Sequence, residues 1–257
     1  MYRRLQALLA VILLPLLLAG CKRPAGRMHA IYIIDLTAST LEEARAKAFA
    51  GVKEPFDKGL LHRGDSVTVI PITGDALVES QGSISRFDLP TDREVYDEDL
   101  NRLSDQVIDQ LQKMQKTAAE KPYLYSDILG AVRIAAEEFS TDRPGVRKVL
   151  VLLSDCVNDV KQLSFKTAPI VANKNAAKDA GKKMAVADGP VFNDVRVYLG
   201  LLRSTDLKSM SPQRREGLET FWTEYFKQAG AKSVTISSDG PGQLAKFISS
   251  QDPVAAR

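Results

Sequence analysis

Two runs of this chain, residues 29–35 (HAIYIID) and 146–155 (VRKVLVLLSD), are apolar almost without interruption, and each ends on an aspartate. A strand with one wet face alternates apolar and polar residues. A continuous apolar run of this length is buried on both faces. Such strands lie inside a sheet covered on both sides, and parallel neighbours need crossovers of about a dozen residues or more. The chain supplies them. Helical spacing runs through residues 40–60, 91–120, 125–140, 173–184, 211–230 and 242–250. Further strands read at 66–72, 194–202 and 232–237, with a weakly alternating edge strand at 76–89. In the second helix Leu100, Leu103, Val107, Leu111 and Met114 recur at steps of three and four, a single face. Ser39 or Thr40 is placed to cap the first helix and Ser126 or Asp127 the third. Ser211 and Pro212 open the fifth, and Gly230 stops it. The expectation is an α/β fold, Rossmann-like and doubly wound, with a mostly parallel sheet and helices on both faces. The domain spans residues 29–250, and 251–257 form a frayed tail. In such sheets ligands bind at the carboxyl ends of the strands. Asp35 and Asp155 both fall on that edge.

Residues 1–20 are a separate matter. Arg3 and Arg4 precede an apolar run, 5–20, that Pro15 interrupts and that is too short for a membrane span of about 20 apolar residues. It ends in LAGC, which resembles the lipobox of bacterial lipoproteins. By that resemblance residues 1–20 are a lipoprotein signal peptide. Cys21 becomes the lipidated N-terminus, carrying diacylglyceryl and palmitate-type chains, and residues 21–28 are a short tether. The alternative is an ordinary secretory signal with an incidental cysteine. Lys22, Arg23 and Arg27 would lie against anionic headgroups, and Lys22 to Met28 reach at most about 24 Å. Resemblance to lipoprotein sorting signals, with Lys22 rather than aspartate in second place, points to the outer membrane of a two-membraned host. Losing residues 1–20 takes two charges from the formal +3, so no basic face for nucleic acid is expected. With Cys21 lipidated, Cys156 is the remaining cysteine and no intramolecular disulfide can form.

The functional question sits in DLTAST, residues 35–40. Three hydroxyls follow a strand-ending carboxylate within five positions. That pattern suits a helix cap, a cradle for a hard cation, or an aspartate that accepts a phosphoryl group. Two other segments decide the reading: YSDILGAV opens a helix and LLSD ends a strand. Together the three resemble the von Willebrand factor A domain family and its metal-ion-dependent adhesion site. That family pattern is Asp-x-Ser-x-Ser, then Thr, then Asp, in three successive loops. It maps onto Asp35, Thr37 and Ser39, then Ser126, then Asp155, and the likeness covers residues 30–250. The resemblance implies a Mg²⁺ ion (or Ca²⁺ or Mn²⁺) and a partner protein offering a carboxylate. It also implies a binding role in envelope assembly or scaffolding rather than an enzyme. The chemistry agrees, since a small hard cation takes oxygen ligands. The sequence departs from the pattern at Thr37, Ser126, Ser154 and Cys156, the last standing where glycine is common. Asp127 and Asp159 add carboxylates that can serve as accessory ligands or as caps.

The rival reading is a phosphatase resembling the haloacid dehalogenases. Asp35 would be its nucleophile and Ser154 its second-motif hydroxyl. Lys182 or Lys183 would neutralise charge, and Asp188 or Asp194 would hold Mg²⁺. Other chemistries lack parts. His29 and His62 are the only histidines, with no nucleophile beside them in sequence, and no glycine-rich phosphate loop occurs. Cys156 reads as a small buried residue, and Trp222, Tyr225 and Phe226 as packing.

Overall fold

The computed structural model of the chain describes residues 27–79, 83–189 and 191–250. The signal segment, Cys21 and the tail at 251–257 lie outside the described residues. Strand β1 (Met28–Asp35) leads to helix α1 (Glu42–Asp57), β2 (Ser66–Ile72), a single helical turn α2 (Ala76–Glu79) and β3 (Ser85–Asp88). Helices α3 (Asp97–Glu120) and α4 (Ile128–Ser140) precede β4 (Arg147–Ser154). A small hairpin of β5 (Asp159–Val160) and β6 (Leu163–Ser164) follows, then α5 (Lys174–Asp188) and β7 (Val195–Leu201). The chain closes with α6 (Thr205–Ser209), α7 (Pro212–Gln228), β8 (Ser233–Ser237) and α8 (Leu244–Ser249). The main sheet runs β3-β2-β1-β4-β7-β8, parallel throughout except for β3. Among the described residues no helix is long and apolar enough to cross a membrane.

The continuous apolar runs do what their composition requires. Along β1, Ile31 and Ile33 enter the core beneath α4, α5 and α7, while Ala30, Tyr32 and Ile34 enter the one beneath α1, α3 and α8. β4 divides likewise, Leu150 and Leu152 against Val149, Val151 and Leu153. The stripe from Leu100 to Met114 is buried. Trp222, Tyr225 and Phe226 pack edge-to-face and stacked inside the first core, as read.

Two expectations are corrected. The edge strand from 76 to 89 shrinks to Ser85–Asp88, with Ala76–Glu79 a helical turn. Asp127 Oδ2 accepts from the Ala76 N–H at 3.1 Å, which favours a turn there over extended pairing. Neither Ser39 nor Thr40 caps α1. Its N-cap is Leu41, without a side-chain bond, because Thr40 is drawn into a β-bridge with Ser204. His29, read as lacking a paired nucleophile, lies in a buried structural bridge. Its Nδ1 lies 2.9 Å from Asp142 Oδ2 and its Nε2 2.9 Å from Thr68 Oγ1. The order resembles a hydrolase triad, but His29 and Thr68 are wholly buried at the amino edge of the sheet, so the bridge fastens β1, β2 and the α4–β4 turn.

Helices α5 and α7 touch backbone to backbone. A Cβ on Gly181 would stand 2.6 Å from the Phe221 carbonyl oxygen. Alanine would gain about 1 kcal/mol of helix propensity but force the helices apart, at about 1–3 kcal/mol or more. The steric effect wins because the opposing atom is backbone. Gly181→Ala is expected to lower the thermal midpoint by about 3–6 °C; an unchanged or higher midpoint would disprove the close approach.

Candidate metal centre

The site begins with a strand that ends on a carboxylate. Asp35 Oδ1 accepts from the Thr37 N–H at 3.0 Å and the Thr37 hydroxyl at 2.6 Å. Thr37 Oγ1 lies 3.3 Å from Ser39 Oγ, so the first loop folds around its own aspartate. The other oxygen, Oδ2, accepts from Ser154 Oγ at 2.7 Å, across from the end of β4. Ser154 Oγ in turn accepts from the Cys156 N–H at 3.0 Å. One serine hydroxyl therefore ties the first loop to the third.

Asp155 follows Ser154 and is buried beside Asp35. Its Oδ1 accepts from the Val157 N–H at 2.8 Å, while its buried Oδ2 has no hydrogen-bond partner among the described residues. Burial, then the charge of Asp35, push the Asp155 carboxyl up to about 7. The Ser204 hydroxyl offsets part of that rise, standing beside the carboxylate but outside hydrogen-bond geometry. Cys156 adopts φ 63°, the left-handed conformation that glycine would take there. The departure from glycine thus leaves the turn intact. Its thiol is buried, and burial with the neighbouring carboxylates pushes it well above its usual range, so it is a packing group. The Trp222 indole N–H clamps the Cys156 carbonyl at 2.8 Å.

The second loop reaches both others through its backbone. The Ala38 N–H donates to the Tyr123 carbonyl at 3.3 Å, and Ser126 pairs with Asp159 through two bonds of 2.9 Å. Ser126 is itself buried. The accessory carboxylates are engaged elsewhere. Asp127 caps α4 by accepting from the Gly130 N–H at 2.9 Å. Asp159 is paired with Lys166 at 2.6 Å, and Lys166 also holds Asp206 at 2.9 Å.

Four residues escaped the sequence reading. Ser204, after β7, adjoins Asp155 and caps α6. Arg45 donates to the Thr37 carbonyl at 3.2 Å. Asn158 fixes the third loop by accepting from the Leu129 N–H at 3.0 Å. Thr73, just after β2, has a buried hydroxyl without a partner among the described residues. Only Ser204 carried a local signal, the cap pattern STDL.

Among the described residues no group of three or more His, Cys, Asp or Glu side chains could hold a metal. The donors that do gather are two carboxylates and several hydroxyls. An oxygen-only set with little charge suits a hard cation such as Mg²⁺ or Mn²⁺ and suits zinc poorly. The orphaned Asp155 oxygen and the repulsion between two buried carboxylates fit a cation at this place. The phosphatase assignment does not fit. Asp188 ends α5 and Asp194 precedes β7, so both lie at the amino edge of the sheet, opposite Asp35. Lys182 and Lys183 are exposed on α5, and Asp188 is bound to Arg133 and Tyr225.

A scan of protein-family models finds no match to this chain, and a search of curated proteins finds none either. Solved structures do match. The pilus adhesin SpaC of Lactobacillus rhamnosus GG aligns over 88% of this chain and 30% of its own, at 13% identity and TM-score 0.51. The conserved hypothetical protein BatB of Bacteroides thetaiotaomicron aligns over 86% of this chain and 95% of its own, at 17% identity and TM-score 0.45. Manganese-loaded TRAP protein of Plasmodium vivax aligns over 87% and 72%, at 9% identity and TM-score 0.42. Identities this low speak to fold alone. The fold is an α/β doubly wound domain with a mostly parallel sheet, and it is this fold that the SpaC likeness shows.

A carboxyl whose folded pKa is raised binds protons more tightly when folded. It therefore costs stability progressively from about pH 4 up to about pH 7, and the full cost stands at pH 8. Asp155→Asn keeps an acceptor for the Val157 N–H and removes the charge. In EDTA at pH 8 the variant is expected to be more stable than wild type by about 1–3 kcal/mol, with the gap closing toward pH 5. Urea unfolding at both pH values measures this, and a variant less stable at pH 8 would contradict it.

Proposed function

We propose that this chain is a lipid-anchored bacterial envelope protein whose von Willebrand A-like domain binds a partner protein through a divalent cation, in an assembly or scaffold role. The supporting observation is the buried Asp35–Asp155 pair, with one oxygen unpartnered among the described residues, beside hydroxyls at the carboxyl edge of the sheet. Asp35, Thr37, Ser39, Ser126 and Asp155 would hold Mg²⁺, or Ca²⁺ or Mn²⁺ in its place. When bound, the ion supplies positive charge and a position open to a carboxylate from the partner. The chain's own residues do the rest. Ser154 orients Asp35, and Asn158 and Trp222 hold the third loop. Leu124 and Tyr125, 77% and 42% exposed just before Ser126, offer apolar contact at the rim. No reaction is assigned, and no nucleic acid is a partner. Residues 1–21 supply the anchor in this reading, with Lys22 directing the protein to the outer membrane of a two-membraned host.

Two experiments test it. An ion bound only by the folded state, at about a hundred times its dissociation constant, adds about 2.7 kcal/mol. The melting temperature should then rise by about 5–10 °C on replacing EDTA with excess Mg²⁺ or Mn²⁺. Ser39→Ala should abolish most of that rise while melting normally in EDTA. Equal melting with and without the ions would remove the metal from the mechanism. For the anchor, Cys21→Ser expressed in a bacterial host should leave the membrane fraction and lose label from palmitate; retention of both would overturn the lipoprotein reading.

A further inference from the structure

We propose that the cleft beside the candidate metal centre, between Leu41 and α6, receives an acidic peptide segment carrying an apolar side chain, contributed by the same partner that offers the metal its carboxylate. This names the partner's chemistry and rests on the reading of the site as a protein-binding face. The cleft, about 320 Å³, is lined by Leu41, Arg203, Ser204, Leu207, Lys208 and Arg215. Two leucines make its apolar surface, three cations surround them, and among the described residues no carboxylate lines it. Leu41 is 38% exposed, and α6 buries none of its residues.

The cations are not neutralised at home. Among the described residues the side chains of Arg203 and Lys208 form no ion pair and no hydrogen bond. Arg215 is held by the carbonyls of Met210 at 3.0 Å and Lys208 at 3.5 Å, which fix its position and leave its charge. The nearest acid on α6, Asp206, is already bound to Lys166 at 2.9 Å. The excess is local. The neighbouring recess toward α1, which Arg203 also borders, has Glu43 and Asp239 beside Lys47, so the excess centres on Lys208 and Arg215, and the whole chain carries only +3. Charged groups that repel one another without partners favour an incoming anionic segment and reject a cationic one.

Position joins this cleft to the metal site. The Leu41 N–H donates to the Arg203 carbonyl at 3.1 Å, and the Thr205 N–H to the Ser39 carbonyl at 3.0 Å. Thr40 pairs with Ser204, the residue that adjoins Asp155. The backbone that presents the Thr37 and Ser39 hydroxyls therefore runs on into Leu41, one wall of the cleft. A segment with one carboxylate at the ion runs directly over Leu41 and Leu207 and brings its next acidic residues to Arg203 and Lys208.

The test uses the full chain in mild detergent and fluorescein-labelled peptides in Mg²⁺ buffer at low salt. One peptide is glutamate-rich with a central leucine, the second keeps a single glutamate and has glutamines elsewhere, and the third replaces the leucine with serine. The glutamate-rich peptide should bind about tenfold tighter than the single-glutamate one. Arg203→Gln with Lys208→Gln, both exposed and unpaired, should erase that preference while leaving the Mg²⁺-induced rise in melting temperature unchanged. Equal affinity of the first two peptides for wild type, or a preference that survives in the variant, would overturn the acidic selectivity. A serine peptide binding as tightly as the leucine peptide would overturn the apolar part. Failure of the metal reading looks different: no Mg²⁺ effect on melting, with the charge preference present in wild type and lost in the variant. That result would leave the cleft standing alone.

Discussion

The geometry of the carboxyl edge depends on one hydrogen bond, from the Ser154 hydroxyl to Asp35 Oδ2 at 2.7 Å. It joins the ends of the two central strands in a place where water is excluded, and a carboxylate acceptor makes it stronger than a neutral bond. Through Ser154 the contact extends to the Cys156 N–H, and through the Cys156 carbonyl to Trp222 on α7. The loops are thus fixed by the same residues that close the core beneath them. Such a buried network holds its shape only while each member keeps its partner. Among the described residues the second oxygen of Asp155 stands outside that network, as do the Thr40 and Thr73 hydroxyls, and of these the carboxylate oxygen is the one beside a second buried carboxyl.

Cys156 shows how this edge tolerates an awkward residue. A left-handed conformation costs a side-chain-bearing residue roughly 1–2 kcal/mol. Burial of the sulfur offsets part of that cost, and the Trp222 clamp holds the carbonyl where the turn needs it. Glycine would relieve the strain but give up the packing.

The strands and most helices were legible because their signals are local. β1 and β4 are apolar at nearly every position, and α3 carries one apolar stripe. Ser211, Pro212 and Gly230 bound α7 as their chemistry suggests. The misread places are those settled by distant partners. Thr40 looks like a cap until Ser204, far along the chain, pairs with it. Residues 76–79 look extended until Asp127 binds the Ala76 N–H. The bond between Asp35 and Thr37 spans two residues and could be read from their spacing. The roles of Ser204, Arg45 and Asn158 could not, since nothing near them in sequence announces the loop they support. Asp127 and Asp159 were ambiguous for the opposite reason: a carboxylate beside a helix start serves a cap, an ion pair or a metal equally well, and geometry alone separates them.

β1 enters the sheet at Met28 and ends at Asp35, so the chain joins the sheet at its amino edge and the three loops stand at the carboxyl edge. Seven steps of about 3.3 Å make that separation roughly 23 Å. Strand direction therefore acts as a mast. The three loops are thereby held a full strand length from the point where the chain enters the sheet.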